Sequence, residues 1–254
     1  MPALPLQCVD IQFRNFVYTF RNWGQPKLCM RRVDSEEILD SDLCPTREAE
    51  SSLRDLCRIN RWFGGVATTR SLVQRVSSST GRKHFSLLEV ASGLGEVPRM
   101  AASQLVKKGI TLEVTDLDRL PSHLQRGHRA VVADALALPF RDESFDLVSC
   151  SLFAHHLAPA ELARFVNEAA RVCRCAVLIN DLIRHPLHLA LVYAGFPLMQ
   201  SPVSRFDGVA SVRRAYVPEE MRHMLSNGRK PPRRIEISTH YLFRMGVIVW
   251  KNTG

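Results

Sequence analysis

The sequence predicts an α/β fold in which a mostly parallel sheet is covered by helices on both faces. Three observations carry that expectation. Short apolar runs alternate with amphipathic helical stretches between residues 85 and 180. The first run, 85–90, breaks into Ala91-Ser92-Gly93-Leu94-Gly95, a small-residue turn that opens a helix over 96–107. Finally, two apolar runs at 235–242 and 245–250 lie too close together for a crossover, which makes them an antiparallel pair at the sheet edge.

Taken in order, residues 1–80 read as a helical preface or lid. Within it, 11–20 is aromatic and apolar, while 47–63 carries Leu53, Leu56, Ile59 and Phe63 along one helical face. Gly64-Gly65 punctuates the pattern before a shorter helix at 68–76. The core spans 81–254, with parallel strands at 85–90, 111–115, 130–133, 145–149 and 176–180. Helices are expected at 96–107, 117–125 and 159–172. Beyond Asp181 the rhythm lapses. An apolar helix at 187–199 is interrupted by Gly195 and Pro197, 201–217 reads as a polar, arginine-bearing connection, and 218–225 is a short helix. Residues 182–232 therefore form an insertion suited to binding a substrate.

With 254 residues and 46% hydrophobic content, the chain can bury one substantial core. The formal charge of +9 invites a nucleic-acid partner. However, the basic residues fall in short groups, Arg31-Arg32, Arg213-Arg214 and those of 229–234, and no long basic tract disposes the chain toward nucleic acid. Seven cysteines, an odd number, occur without a secretory leader or a membrane-spanning apolar run, so a reducing, cytoplasmic setting is expected. Cys173-Arg174-Cys175 lacks the second pair that a zinc site needs.

A glycine turn between strand and helix lets backbone approach a ligand closely and sets helix-start amides beside it. Asp116 closes the second strand, where a carboxylate suits a pair of ribose hydroxyls. Asp134-Ala135, Leu138-Pro139-Phe140 and Ser144-Phe145-Asp146-Leu147-Val148 follow in order. This ordered set resembles the class I S-adenosylmethionine-dependent methyltransferases, in particular the small-molecule group that includes ubiquinone and menaquinone biosynthesis enzymes. The resemblance covers 85–181 together with the terminal strands. It implies a Rossmann-like seven-stranded sheet with an antiparallel terminal strand, and S-adenosyl-L-methionine as cofactor.

The resemblance also implies roles. Glu89 would orient the turn or meet the methionine amino group, and Gly93 and Gly95 would admit the methionyl and ribose parts. Asp116 would accept from the ribose, Leu117 would flank the adenine, and Asp134 and Ala135 would bond its ring. Ser151 and Leu152 would pass beneath the sulfonium. Ala91 stands where the family commonly has glycine, which is tolerable if no left-handed backbone is needed. A dinucleotide-binding dehydrogenase fits less well, because Pro98 follows Gly93 and Gly95 and no third glycine completes G-x-G-x-x-G.

On the acceptor side, His155 and His156 follow the fourth strand, where either could take a phenolic proton. Adjacent side chains are expected to diverge, and no carboxylate partner is specified, so no metal is expected there. Asp181, Arg184 and His185 leave the fifth strand toward the same mouth, with His185 a further candidate base. Asp181 paired to Arg184 in a capped loop is the competing arrangement. Phe206 and Tyr216 would line an apolar pocket, and Arg205, Arg213 and Arg214 would meet an anionic group or stay solvated. The segments "INDLIRHP" and "FDGVASVRRAY" also resemble bacterial methyltransferases associated with polyketide-derived phenols or phenolic lipids. The expected activity is methylation of a hydroxyl on a small apolar aromatic or phenolic acceptor. C-methylation of a phenol or quinone precursor, RNA methylation and donor binding without catalysis are the alternatives. The N-terminal preface would either lid the pocket or bury itself against a second subunit in a homodimer.

Overall fold

The computed structural model describes residues 30–40, 46–125, 127–226 and 234–251; the aromatic run expected at 11–20 lies outside them. Two N-terminal helices, α1 (Thr46–Trp62) and α2 (Gly65–Thr80), precede β1 (His84–Val90), α3 (Glu96–Val106), β2 (Thr111–Asp118) and β3 (Ala130–Val132). There follow β4 (Phe145–Ser151), α4 (Pro159–Val172), β5 (Cys173–Leu182), α5 (Pro186–Ala194), α6 (Pro202–Arg214) and α7 (Pro218–Ser226). The chain closes with β6 (Ile235–His240) and β7 (Arg244–Trp250). The seven strands form one sheet in the order β3-β2-β1-β4-β5-β7-β6. Strands β1 to β5 pair in parallel, and β7 enters antiparallel between β5 and β6.

Alternation along the central strands divides the core between the two sheet faces. Leu88, Val90, Val148, Val177, Ile179, Val247 and Val249 join α4 through Leu162, Phe165 and Ala169. Their neighbours Leu87, Leu147, Leu178 and Ile248 join Leu72, Val73 and Val76 of α2 and Leu105 of α3. The boundary expected at residue 80 thus runs through a single packed layer, because α2 covers the sheet.

Three expected elements differ. The second strand runs on to Asp118, and the helix expected over 117–125 is reduced to one 3-10 turn at Pro121–His123. Proline starts that turn but removes a backbone donor. The apolar helix expected at 187–199 ends at Ala194, before Gly195, and a separate 3-10 turn spans Phe196–Leu198. The polar connection expected over 201–217 is helical: α6 begins with proline at its first turn, and the Ser201 side chain caps it by accepting from the Val203 amide. No helix among the described residues is long and apolar enough to cross a membrane.

Candidate active site

Beyond Val90, three residues of the turn adopt left-handed backbone: Ala91 at φ 52°, Gly93 at 53° and Gly95 at 66°. The condition under which Ala91 was tolerable, no left-handed backbone, is not met; an alanine there carries a strain of about 1–2 kcal/mol. Gly95 also has no room for a side chain, since a Cβ would stand 2.6 Å from the Asp116 carboxylate. The turn is fastened to β2. Ser92 N donates to Leu117 O at 3.1 Å, and Gly93 N donates to Asp118 Oδ2 at 2.9 Å. A cavity of about 390 Å³ opens above it, at the carboxyl ends of the parallel strands.

Glu89, Ala91, Gly93, Gly95, Leu117, Asp134, Ala135, Ser151 and Leu152 all line this cavity, as nine of the ten residues expected at the donor end. Asp116 does not. It is 1% exposed, and Arg99 holds both its oxygens, at 2.6 and 3.1 Å. The β2 acid on the cavity wall is Asp118, two residues further along the same strand. Its oxygens accept from the Gly93 and Leu120 amides, at 2.9 and 3.0 Å. Burial works against its charge, but His123 and these amides hold the carboxyl below its ordinary range. Glu89 is buried at the cavity floor, where it accepts from the Ser149 hydroxyl. Burial pushes its carboxyl up to about 7. Asp134 Oδ1 accepts from Leu136 N at 2.8 Å, which fixes the loop after β3.

The far end of the cavity is polar and was only half visible in the sequence. His155 and His156 line it together with Glu37, Ser211 and Arg214. The two rings do not diverge; their centroids lie 4.2 Å apart, and both face Glu37. Glu37 arrives on the segment before α1, which α6 anchors: Asp207 accepts from the Ile38 and Leu39 amides at 2.8 and 3.1 Å. His155 is 1% exposed. Its Nδ1 lies 2.6 Å from Asp181 Oδ1, and its backbone N–H donates to Asp181 Oδ2 at 2.9 Å. Burial opposes a charged ring, yet Asp181 and Glu37 raise its pKa to about 10. Buried between these two carboxylates, His155 is the less accessible of the two candidate bases. His156 remains at the cavity wall, its ring stacked on Phe153.

Several acceptor-side expectations are corrected by burial and bonding. Asp181 pairs with His155 and not with Arg184. Arg184 is a buried clamp that donates to Met30 O, Ala215 O and the Glu220 carboxylate. His185 caps α5 by accepting from Leu187 N, and it stacks on Phe243. Tyr216 is buried, with its hydroxyl donating to Leu157 O at 2.7 Å. Phe206 is 50% exposed on α6, and neither it nor Arg213 lines the cavity. The α6 arginine that does is Arg214, which donates to His156 O at 2.8 Å.

Residues 88–176 match the family model described as a methyltransferase domain. No curated protein sequence matches the chain. Among solved structures, the plantazolicin methyltransferase BpumL in complex with SAH superposes with a TM-score of 0.61 at 11% identity, covering 84% of this chain and 93% of that one. Human N-acetylserotonin methyltransferase in complex with SAM gives 0.54 at 13% identity, over 81% of this chain and 57% of that one. The fold is shared at these identities. The methyltransferase-domain match over 88–176 thus falls on the parallel strands β1 to β5 that carry the glycine turn and the cavity.

Proposed function

We propose that the protein transfers a methyl group from S-adenosyl-L-methionine to a hydroxyl of a small, largely apolar aromatic molecule. One observation carries the reading: a single cavity joins the glycine turn to the Glu37, His155 and His156 group. The residues of the turn end suit the donor. Gly93 leaves backbone open, since a Cβ there would meet only Leu53 at 3.8 Å. Asp118 is the acid placed to accept from ribose hydroxyls, Glu89 from the methionine ammonium, and Asp134 with Ala135 would bond the adenine. When bound, the donor supplies an electrophilic methyl on sulfur.

The protein's contribution is alignment and proton handling. Leu39, Leu53, Leu56, Phe153 and Leu157 give the intervening wall an apolar surface for an aromatic ring. Helix α6 forms the acceptor-side layer, through Ser211 and Arg214. Leu152 and His156 would flank the acceptor oxygen, whose proton would leave through the polar end of the cavity. The likeness to methyltransferases named for plantazolicin and N-acetylserotonin supports a small-molecule acceptor. The test is to incubate the protein with methyl-labelled donor and a panel of alkylated phenols, then assign the product by mass and carbon chemical shift. An O-methyl signal is expected. A ring-methyl signal would move the reaction to carbon, and donor binding without transfer to any phenol would refute the reading.

A further inference from the structure

At the polar end of the cavity, two imidazoles and a carboxylate converge on one point. His155 Nε2 and His156 Nε2 stand 3.3 and 3.7 Å from the same Glu37 oxygen. A hydrogen bond between an imidazolium and a carboxylate closes to about 2.7–2.9 Å. The His155–Asp181 contact, at 2.6 Å, shows this pocket can deliver such a bond. The His155 contact to Glu37 is a long hydrogen bond, and the His156 contact lies beyond hydrogen-bond reach. They do match the spacing of ligands around a metal: atoms about 2.1 Å from a tetrahedral centre lie about 3.4 Å from one another. All three candidate ligand atoms fall within 4.8 Å of one another.

We propose that Glu37, His155 and His156 form a binding site for a divalent cation of the zinc type. Two imidazole nitrogens and one carboxylate make the three-ligand set that leaves a fourth position open, here toward the cavity. The surroundings support it. Asp181 takes the Nδ1 proton of His155 and its backbone N–H, which fixes the ring and aims Nε2 at Glu37. Ser211 donates to Glu37 at 2.7 Å. The neighbouring Arg32 and Arg214 donate to the carbonyls of His155 and His156, at 3.1 and 2.8 Å. The role of the cation rests on the methyl-transfer reading above. The acceptor hydroxyl occupies the open position, loses its proton to solvent as a cation-bound phenol, and attacks as the oxygen anion.

The full chain, stripped with chelator, is titrated with Co2+ alone while visible absorption is followed, and with Zn2+ by calorimetry. One equivalent is expected, with the intense bands of tetrahedral cobalt. Glu37→Gln and His156→Asn each weaken binding at least tenfold, whereas His223→Asn on α7 leaves it unchanged. SAH binding by all variants reports an intact fold and an intact donor site. Absence of tetrahedral bands, or equal affinity in Glu37→Gln and His156→Asn, overturns the site. Full turnover by the stripped enzyme would overturn the role of the cation and leave the methyl-transfer reading standing. Loss of SAH binding in the parent chain would instead refute that reading.

Discussion

Replacing Asp118 with asparagine separates the two carboxylates of β2 that the sequence confuses. Asparagine keeps the shape and one carbonyl oxygen, so one amide of Gly93 or Leu120 can still be held. What is lost is the charge and one acceptor facing the cavity. A hydrogen bond to a charged group contributes about 1.5–3 kcal/mol, so donor affinity should fall about 10- to 100-fold. Asp116→Asn should behave differently. It weakens a bidentate pair with Arg99, whose side chain is 26% exposed, and the screening water there limits the damage to about 1–2 kcal/mol of stability. Its donor affinity should stay within about threefold of the parent, because the side chain is walled off beneath Gly95. Calorimetry with SAH and thermal melts of both variants make the comparison. If Asp116→Asn abolished binding in folded protein while Asp118→Asn bound normally, the assignment of the ribose acid to Asp118 would be wrong.

Three further outcomes are expected. Ala91→Gly relieves left-handed strain at some cost in chain entropy, for a net gain of about 0.5–1 kcal/mol, visible as a rise of about 1–4 °C in melting temperature; a lower melting temperature would contradict the strain argument. Arg184→Met removes a clamp on three carbonyl and carboxylate partners, of which Glu220 is 40% exposed, and should destabilise the fold by about 1–3 kcal/mol. Its donor Kd should be unchanged; a selective loss of substrate turnover without destabilisation would return Arg184 to the acceptor site. Glu89 has its folded pKa raised to about 7 against an ordinary value of 4.5, so its stabilising share is complete below pH 4.5 and is lost as pH climbs through 7. The melting temperature of the parent, measured relative to Glu89→Gln, should decline across that window, and a flat difference would show that Glu89 is not held protonated.

The donor half of the cavity was legible because its residues are consecutive in sequence and sit at strand ends. Ala91 to Gly95, Asp134-Ala135 and Ser151-Leu152 need only the strand–turn–helix rhythm to be found. Asp118 was missed because β2 runs three residues past Thr115, and alternation gives two acids on one side of a strand the same claim. Glu37 carries no periodic or motif signal, and only the fold brings it 118 residues along the sequence to His155. The acceptor side was misread at its root. Helix α6 buries Ser204 and Asp207 along with Val203, Val209 and Val212, so no clean apolar stripe marks it. Read as a loop, it offered Phe206, Arg213 and Tyr216 beside Arg214, and of these Arg214 lines the cavity, together with Ser211 of the same helix.

The placement of β7 sets the order in which this molecule can become complete. Along Ala176–Leu182, β5 has its second neighbour only in residues 244–250, so its hydrogen-bonding edge waits for the far end of the chain. The N-terminal layer waits as well: Arg244, buried at the start of β7, donates to Asn60 of α1 at 2.7 Å. During synthesis the first 226 residues therefore carry an open, strongly apolar sheet edge, a template for pairing with other nascent chains. Arrival of the β6–β7 pair closes the sheet and ties α1 to β7, which makes 235–250 the segment whose loss would convert folding into aggregation.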